Sequence, residues 1–195
     1  MNIIARWVTL SLLAAWVVTV SGCCCCGGRD TTRKTTPNVS VPPGSVAIKK
    51  IAVMPFKAST ELIGSSVGDM FVTEILGSGI YELCERSQMG KVLSESELAM
   101  AGLSASKAVE VGSMVGAEAV VIGTVDEYSK QAYGQLQYAV VSITARLIDC
   151  KTGKIIWSVD YACKADQTDT TVSEHARQVI REMITALKPY LVKAQ

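Results

Sequence analysis

Val141-Ser142-Ile143-Thr144-Ala145-Arg146-Leu147-Ile148-Asp149-Cys150-Lys151-Thr152-Gly153-Lys154-Ile155-Ile156-Trp157-Ser158-Val159-Asp160-Tyr161 is the stretch that decides the fold. Its first half sets Val141, Ile143, Ala145 and Leu147 at alternate positions, with Ser142, Thr144 and Arg146 between them. Its second half sets Ile155, Trp157, Val159 and Tyr161 against Ser158 and Asp160. Period two marks strands with one buried face, because successive side chains point to opposite sides. Lys151-Thr152-Gly153 joins the halves, and Gly153 can take a left-handed turn position. The stretch predicts an antiparallel hairpin. In the register that puts both apolar sets on one face, Cys150 falls in the turn and Cys163 lies far from it. That argues against a bond between the two.

Working outward, Ala119-Val120-Val121-Ile122 and Ile51-Ala52-Val53-Met54 are continuous apolar runs. Short two-sided runs suit strands covered on both faces. Between them, Ile63 to Leu76 carries Val67, Met70, Phe71 and Ile75 at helical spacing and stops at Gly77-Ser78-Gly79. Ile80 to Cys84 reads as a short strand. Ser87 reads as the N-cap of a helix with Met89, Val92 and Leu93. Ser104 or Ser106 starts another, with Ala108, Val111, Gly112 and Val115 on one face. The chain closes on a helix opened by a Thr171/Glu174 capping box, with Val172, Ala176, Val179, Ile180, Met183, Leu187 and Leu191 as its buried stripe. The order β-α-β-α-α-β-β-β-α predicts an α/β sandwich on a mixed sheet, parallel early and antiparallel late.

The N-terminal end has a different character. Arg6, an apolar run from Trp7 to Val20 and the small residues Ser21-Gly22 give the layout of an export signal. The run falls short of the about 20 residues that span a bilayer comfortably. Cys23 directly after it resembles the cysteine of a bacterial lipobox, whose thiol takes a diacylglycerol and becomes the new N-terminus. Residues 1–22 are then a signal peptide, and acyl chains on Cys23 hold the protein to a membrane, each buried CH₂ contributing about 0.8 kcal/mol. Sorting of such proteins resembles a rule in which aspartate after the cysteine retains the protein at the inner membrane. Cys24 stands there, so the expected address is the periplasmic face of the outer membrane. Residues 23–46 are the lipidated N-terminus and its tether; residues 27–46 hold almost nothing apolar and read as disordered or extended, reaching about 60–70 Å at most. Residues 47–195 form one domain.

The net charge of +1 leaves no basic field for nucleic acid. The run Cys23 to Cys26 is poorly suited to one tetrahedral ion, and no CxxC or HxxxH partners it, so no metal site is expected. Cys84, Cys150 and Cys163 are too few and too scattered for a disulfide framework. Gly64-Ser65-Ser66-Val67-Gly68 fits the G-x-S-x-G of a nucleophile elbow, with Asp149 or Asp160 and His175 in the chain order of a serine hydrolase. An elbow needs its serine directly after a strand, however, and seven residues separate Phe56 from Gly64. The alternative is that Gly64 and its serines open a helix. No catalytic residue and no cofactor other than the lipid on Cys23 is expected.

Four segments carry a family resemblance. Ile51 to Phe56, Cys84 to Leu93, Gly116 to Gly123, and Leu147 to Asp149 with Thr152 to Trp157 are similar, in this order, to segments of the curli-assembly lipoprotein (CsgG-like) family. The resemblance implies a domain of the anticodon-binding-domain-like kind, shared with the N-terminal domain of TolB and with LpoB, an activator of a penicillin-binding protein. The curli channel inserts two long hairpins per subunit, each strand needing about 9–11 residues. Here the first slot, Asp126 to Ala139, is short and holds Glu127, Lys130, Gln131, Gln135 and Gln137; the second, Lys164 to Thr170, is shorter and polar. The expectation is therefore a lipoprotein that binds another envelope protein, such as a peptidoglycan synthase. The alternative is a ring-forming periplasmic collar in an export complex, a homo-oligomer. Tyr128, Tyr133 and Tyr138 lie in the polar first slot and are the candidate partner-binding residues, since aromatics in polar loops favour contact sites.

Overall fold

The computed structural model describes residues 35–43, 47–85 and 104–191. Six strands are described: β1 (Asn38–Ser40), β2 (Lys50–Val53), β3 (Glu82–Leu83), β4 (Ala119–Tyr133), β5 (Leu136–Asp149) and β6 (Ile155–Lys164). The described helices are α1 (Glu61–Ser78), α2 (Ala105–Met114) and α3 (Val172–Leu191). The strands form one mixed sheet in the order β1-β6-β5-β4-β2-β3. β2 runs parallel to β3 and β4, whereas β4, β5, β6 and β1 are successively antiparallel. The mixed α/β class read from the sequence is the one observed.

The decisive stretch forms the β5–β6 hairpin. Val141, Ile143, Ala145 and Leu147 are buried and pair across the ladder with Cys163, Tyr161, Val159 and Trp157. This face carries the main core, into which α1 sends Val67, Phe71 and Ile75 and α3 sends Val179, Ile180, Met183 and Leu187. Trp157 is wholly buried, and its indole Nε1–H donates to the Tyr81 hydroxyl at 3.1 Å. Among the described residues, the opposite face is covered at one end. There Ala108 and Val111 of α2 pack with Ala52, Met54, Val120 and Ile148.

Two glycines of α1 set how closely it meets β2. A Cβ on Gly64 would collide with the Phe56 carbonyl oxygen, and one on Gly68 would stand 3.5 Å from the Met54 oxygen. The Phe56 N–H donates to the Gly64 oxygen at 3.2 Å, so strand end and helix start are joined. The helix begins at Thr60, whose hydroxyl accepts from the Ile63 N–H at 3.3 Å, and ends at Gly79 with φ 69°.

The structure departs from the sequence reading at four places. Ile155 is 42% exposed, because a register shift between Leu147 and Ile148 puts Ile156 inward instead. The expected strand from Ile80 to Cys84 contracts to Glu82–Leu83. The end of the expected tether enters the sheet: Asn38–Ser40 pairs with Ser158–Asp160, and the Asn38 amide donates to Asp160 Oδ1 at 3.0 Å. Backbone pairing with a free strand edge organised this segment, which has little apolar surface of its own. The slot from Asp126 to Ala139 is not a loop but continuous β4 and β5, paired out to Tyr133 and Leu136 around a tight turn at Gly134, φ 65°. The expected signal peptide, Cys23 to Cys26 and the helix at Ser87 to Leu93 lie outside the described residues. Among the described residues no helix is long and apolar enough to cross a membrane.

Candidate functional site: the end of the β4–β5 ribbon

β6 stops at Lys164, opposite Val140. β4 and β5 continue past it as a two-stranded ribbon through the pairs Lys130–Ala139, Gln131–Tyr138, Ala132–Gln137 and Tyr133–Leu136. Four residues per strand at about 3.3 Å each reach roughly 13 Å, far below what a membrane strand needs. The ribbon therefore projects past the end of β6.

Its side chains cluster. Ring centroids of Tyr133 and Tyr138 lie 5.9 Å apart in an edge-to-face arrangement. Lys164 Nζ stands 3.8 Å from the Tyr138 centroid and 5.7 Å from that of Tyr133. An exposed contact of this kind contributes about 0.5–1 kcal/mol, enough to hold rings and ammonium as one patch. Tyr133 and Leu136 remain 49% and 53% exposed. The ladder puts this patch on the sheet face away from α1 and α3, continuous with Val140, Ser142, Thr144 and Arg146, beyond the cover of α2.

Of the three candidate tyrosines, the structure joins Tyr133 and Tyr138 and separates Tyr128. Tyr128 pairs with buried Val141 on the helical face, and its hydroxyl lies 2.8 Å from Ser173 Oγ at the start of α3. Tyr128 is thus a structural contact between ribbon and helix. Lys164 and Leu136 are members of the patch that sequence reading passed over. The signal was present: Gly134-Gln135 between Tyr133 and Leu136 is a two-residue hairpin turn, and it sets the register.

The hydrolase pattern is not assembled. Ser65 and Ser66 lie within the opening turns of α1, not on a strand-to-helix elbow. Ser66 faces a shallow hollow with Asp69 and Arg177. Asp149 instead closes its own turn, its two oxygens accepting from the Lys151 N–H and the Thr152 hydroxyl, each at 2.8 Å. Burial pushes the Asp149 carboxyl up, and these bonds outweigh it, leaving the group below the usual carboxylate range. Asp160 holds Asn38, and His175 Nε2 lies 2.9 Å from the Cys163 carbonyl. Among the described residues no group of three or more His, Cys, Asp or Glu side chains is placed to hold a metal ion.

No curated protein sequence matches the chain. Among solved structures, the fold is similar to the PelC dodecamer of Paraburkholderia phytofirmans, with 21% identity and a TM-score of 0.58, covering 78% of this chain and 96% of that one. It is similar to lipoprotein GNA1162 of Neisseria meningitidis, with 18% identity and a TM-score of 0.50, covering 74% and 99%. It is also similar to the C-terminal domain of LpoB from Salmonella enterica, with 17% identity and a TM-score of 0.47, covering 63% of this chain and 87% of that one. At such identities these likenesses show the fold alone. The family model described as curli production assembly/transport component CsgG matches residues 33–178, and the chain belongs to that family.

Proposed function

We propose that this chain is a non-enzymatic assembly lipoprotein of a bacterial envelope, anchored at the periplasmic face of the outer membrane by lipid on Cys23. It works by packing against copies of itself in a ring that serves an export or assembly complex. The observation that carries this reading is the exposed Tyr133–Tyr138–Lys164 patch with Leu136 on a ribbon too short to be a membrane hairpin. Rigid aromatics beside a cation supply contact area at small entropic cost, and such groups concentrate at the centres of interfaces. Family membership supports an assembly or transport setting, and a protein of the same fold, PelC, was solved as a dodecamer.

The test is photo-crosslinking in cells from position 133 or 138 of the full-length protein. The reading expects covalent multimers of the chain, lost in Tyr138→Ala. Capture of a peptidoglycan synthase with no self-crosslink would replace the ring with the activator reading. For the anchor, Cys23→Ser should abolish labelling by a fatty-acid probe and leave the precursor unprocessed; equal labelling of the variant would refute lipidation there.

A further inference from the structure

A ring of copies around one axis closes head to tail, so a patch on one copy meets a different patch on the next. If the chain self-assembles as proposed above, the ribbon patch therefore needs a counter-surface elsewhere on the domain. The patch lies on the sheet face away from α1 and α3, so the helical layer is the opposite side that a neighbour in a ring presents to it.

Exposed apolar side chains narrow the choice. Apart from Tyr133 and Leu136, the exposed large hydrophobics among the described residues are Leu62, Leu76, Met114, Ile155 and Tyr190. All but Leu62 lie at the end of the sheet away from the ribbon: Leu76, Met114 and Tyr190 in the last turns of their helices, and Ile155 at the start of β6. Leu62 lies toward the ribbon end, in the first turn of α1, which begins just after Lys57 bridges Thr124 on β4. It is 79% exposed, more than any other of the set. Leu62 edges a hollow of about 330 Å³ between α1 and α3, shared with half-buried Met70 and with Asp69 and Arg177, both exposed.

Charge selects the same two surfaces. The ribbon end, Lys130 to Ala139 with Lys164, carries two ammonium groups and no carboxylate. The hollow and the first turns of α1 and α3 that frame it carry Glu61, Asp69 and Glu174 against Arg177. The ribbon is positive where the hollow is negative, and complementarity of this kind steers encounter and fixes register. Arg177 makes no ion pair among the described residues.

We propose that this hollow receives the ribbon end of the neighbouring copy. Leu136 and Tyr133 cover Leu62 and Met70, the Lys164 ammonium faces Asp69, and the Arg177 guanidinium lies on the Tyr133 ring. The two surfaces belong to opposite layers of the domain, so each copy offers its ribbon to one neighbour and its hollow to the other.

The test places a photo-crosslinking amino acid at position 136 of the full-length protein in mild detergent. Covalent dimers are cut from a gel, so that the linked peptide comes from a second copy, and are mapped by mass spectrometry. The crosslinks should fall between residues 61 and 73 and in the opening turns of α3. Dimers linked at any other surface overturn the counter-surface and leave the ring standing; no dimer at all overturns both. Leu62→Arg should raise the concentration for half-assembly in sedimentation by at least about tenfold, whereas Leu76→Arg, at the far end of the same helix, should change it by less than about twofold. Equal effects of the two substitutions overturn the proposal.

Discussion

The same substitution, Gly to Ala, should have opposite effects at two positions of α1. Alanine favours a helix over glycine by about 0.8–1.0 kcal/mol. At Gly77 a new Cβ meets nothing within 4 Å, so Gly77→Ala should stabilise by about 0.5–1 kcal/mol. At Gly64 the Cβ would collide with the Phe56 carbonyl oxygen and lie 3.1 Å from its carbon. Those are backbone atoms of the segment that follows β2, tied to this helix by the Phe56 N–H to Gly64 oxygen bond. They cannot yield without moving helix from strand. Overpacking of this kind costs about 1–3 kcal/mol, and the strained hydrogen bond adds about 0.5–1.5 kcal/mol. After the helix-propensity gain, Gly64→Ala should destabilise by about 1–3 kcal/mol. For a domain of this size that lowers Tm by several degrees, at about 2–4 °C per kcal/mol, while Gly77→Ala raises it slightly. Urea and thermal unfolding of the two variants read the difference directly. If Gly64→Ala is as neutral or stabilising as Gly77→Ala, the close approach of α1 to β2 is wrong. The packing account of the G-x-S-x-G segment then fails with it.

Trp157→Phe removes the indole N–H and leaves the Tyr81 hydroxyl, now bonded at 3.1 Å, without its donor in a buried site. It should cost about 2–4 kcal/mol by chemical denaturation, more than volume loss alone gives. Asp149 is held below its unfolded carboxyl value, so its contribution is present above about pH 4 and is lost as pH falls through its lower folded value. Asp149→Asn should therefore flatten the acid limb of a stability–pH profile while lowering stability at pH 7; an unchanged limb would discount the turn bonds. Tyr138→Ala, which removes a half-buried ring beside Lys164, should cost only about 1 kcal/mol of stability yet weaken self-association in sedimentation.

The strands most legible in the sequence are those whose burial is one-sided or complete. The alternation from Val141 to Leu147 fixed the core face of β5, and the two-sided runs at Ile51 and Ala119 fixed the parallel strands. β1 was illegible because Asn38-Val39-Ser40 has almost no apolar surface and owes its shape to pairing with β6. The ribbon end was marked only by its Gly134-Gln135 turn: Tyr133 and Leu136 share one face, but four residues per strand are too few to show a sustained alternation. The bulge that turns Ile156 inward and Ile155 outward has no local signal, since both residues are isoleucine. At the candidate site, the structure brings together the rings of Tyr133 and Tyr138, two of the three tyrosines named from the sequence. Lys164 is distant in sequence and joined them only through the β5–β6 register, and Tyr128 shared their composition but fell on the opposite face.

The proposed working form is a lipid-anchored chain that assembles with itself through the ribbon face. The mass of the full-length protein, extracted in mild detergent and measured by native mass spectrometry with electron microscopy of the same sample, tests this most directly. The account predicts one closed ring of many copies, reduced to smaller species by Tyr133→Ala with Tyr138→Ala. A monomer at all concentrations reached on purification, unaltered by those substitutions, would contradict it.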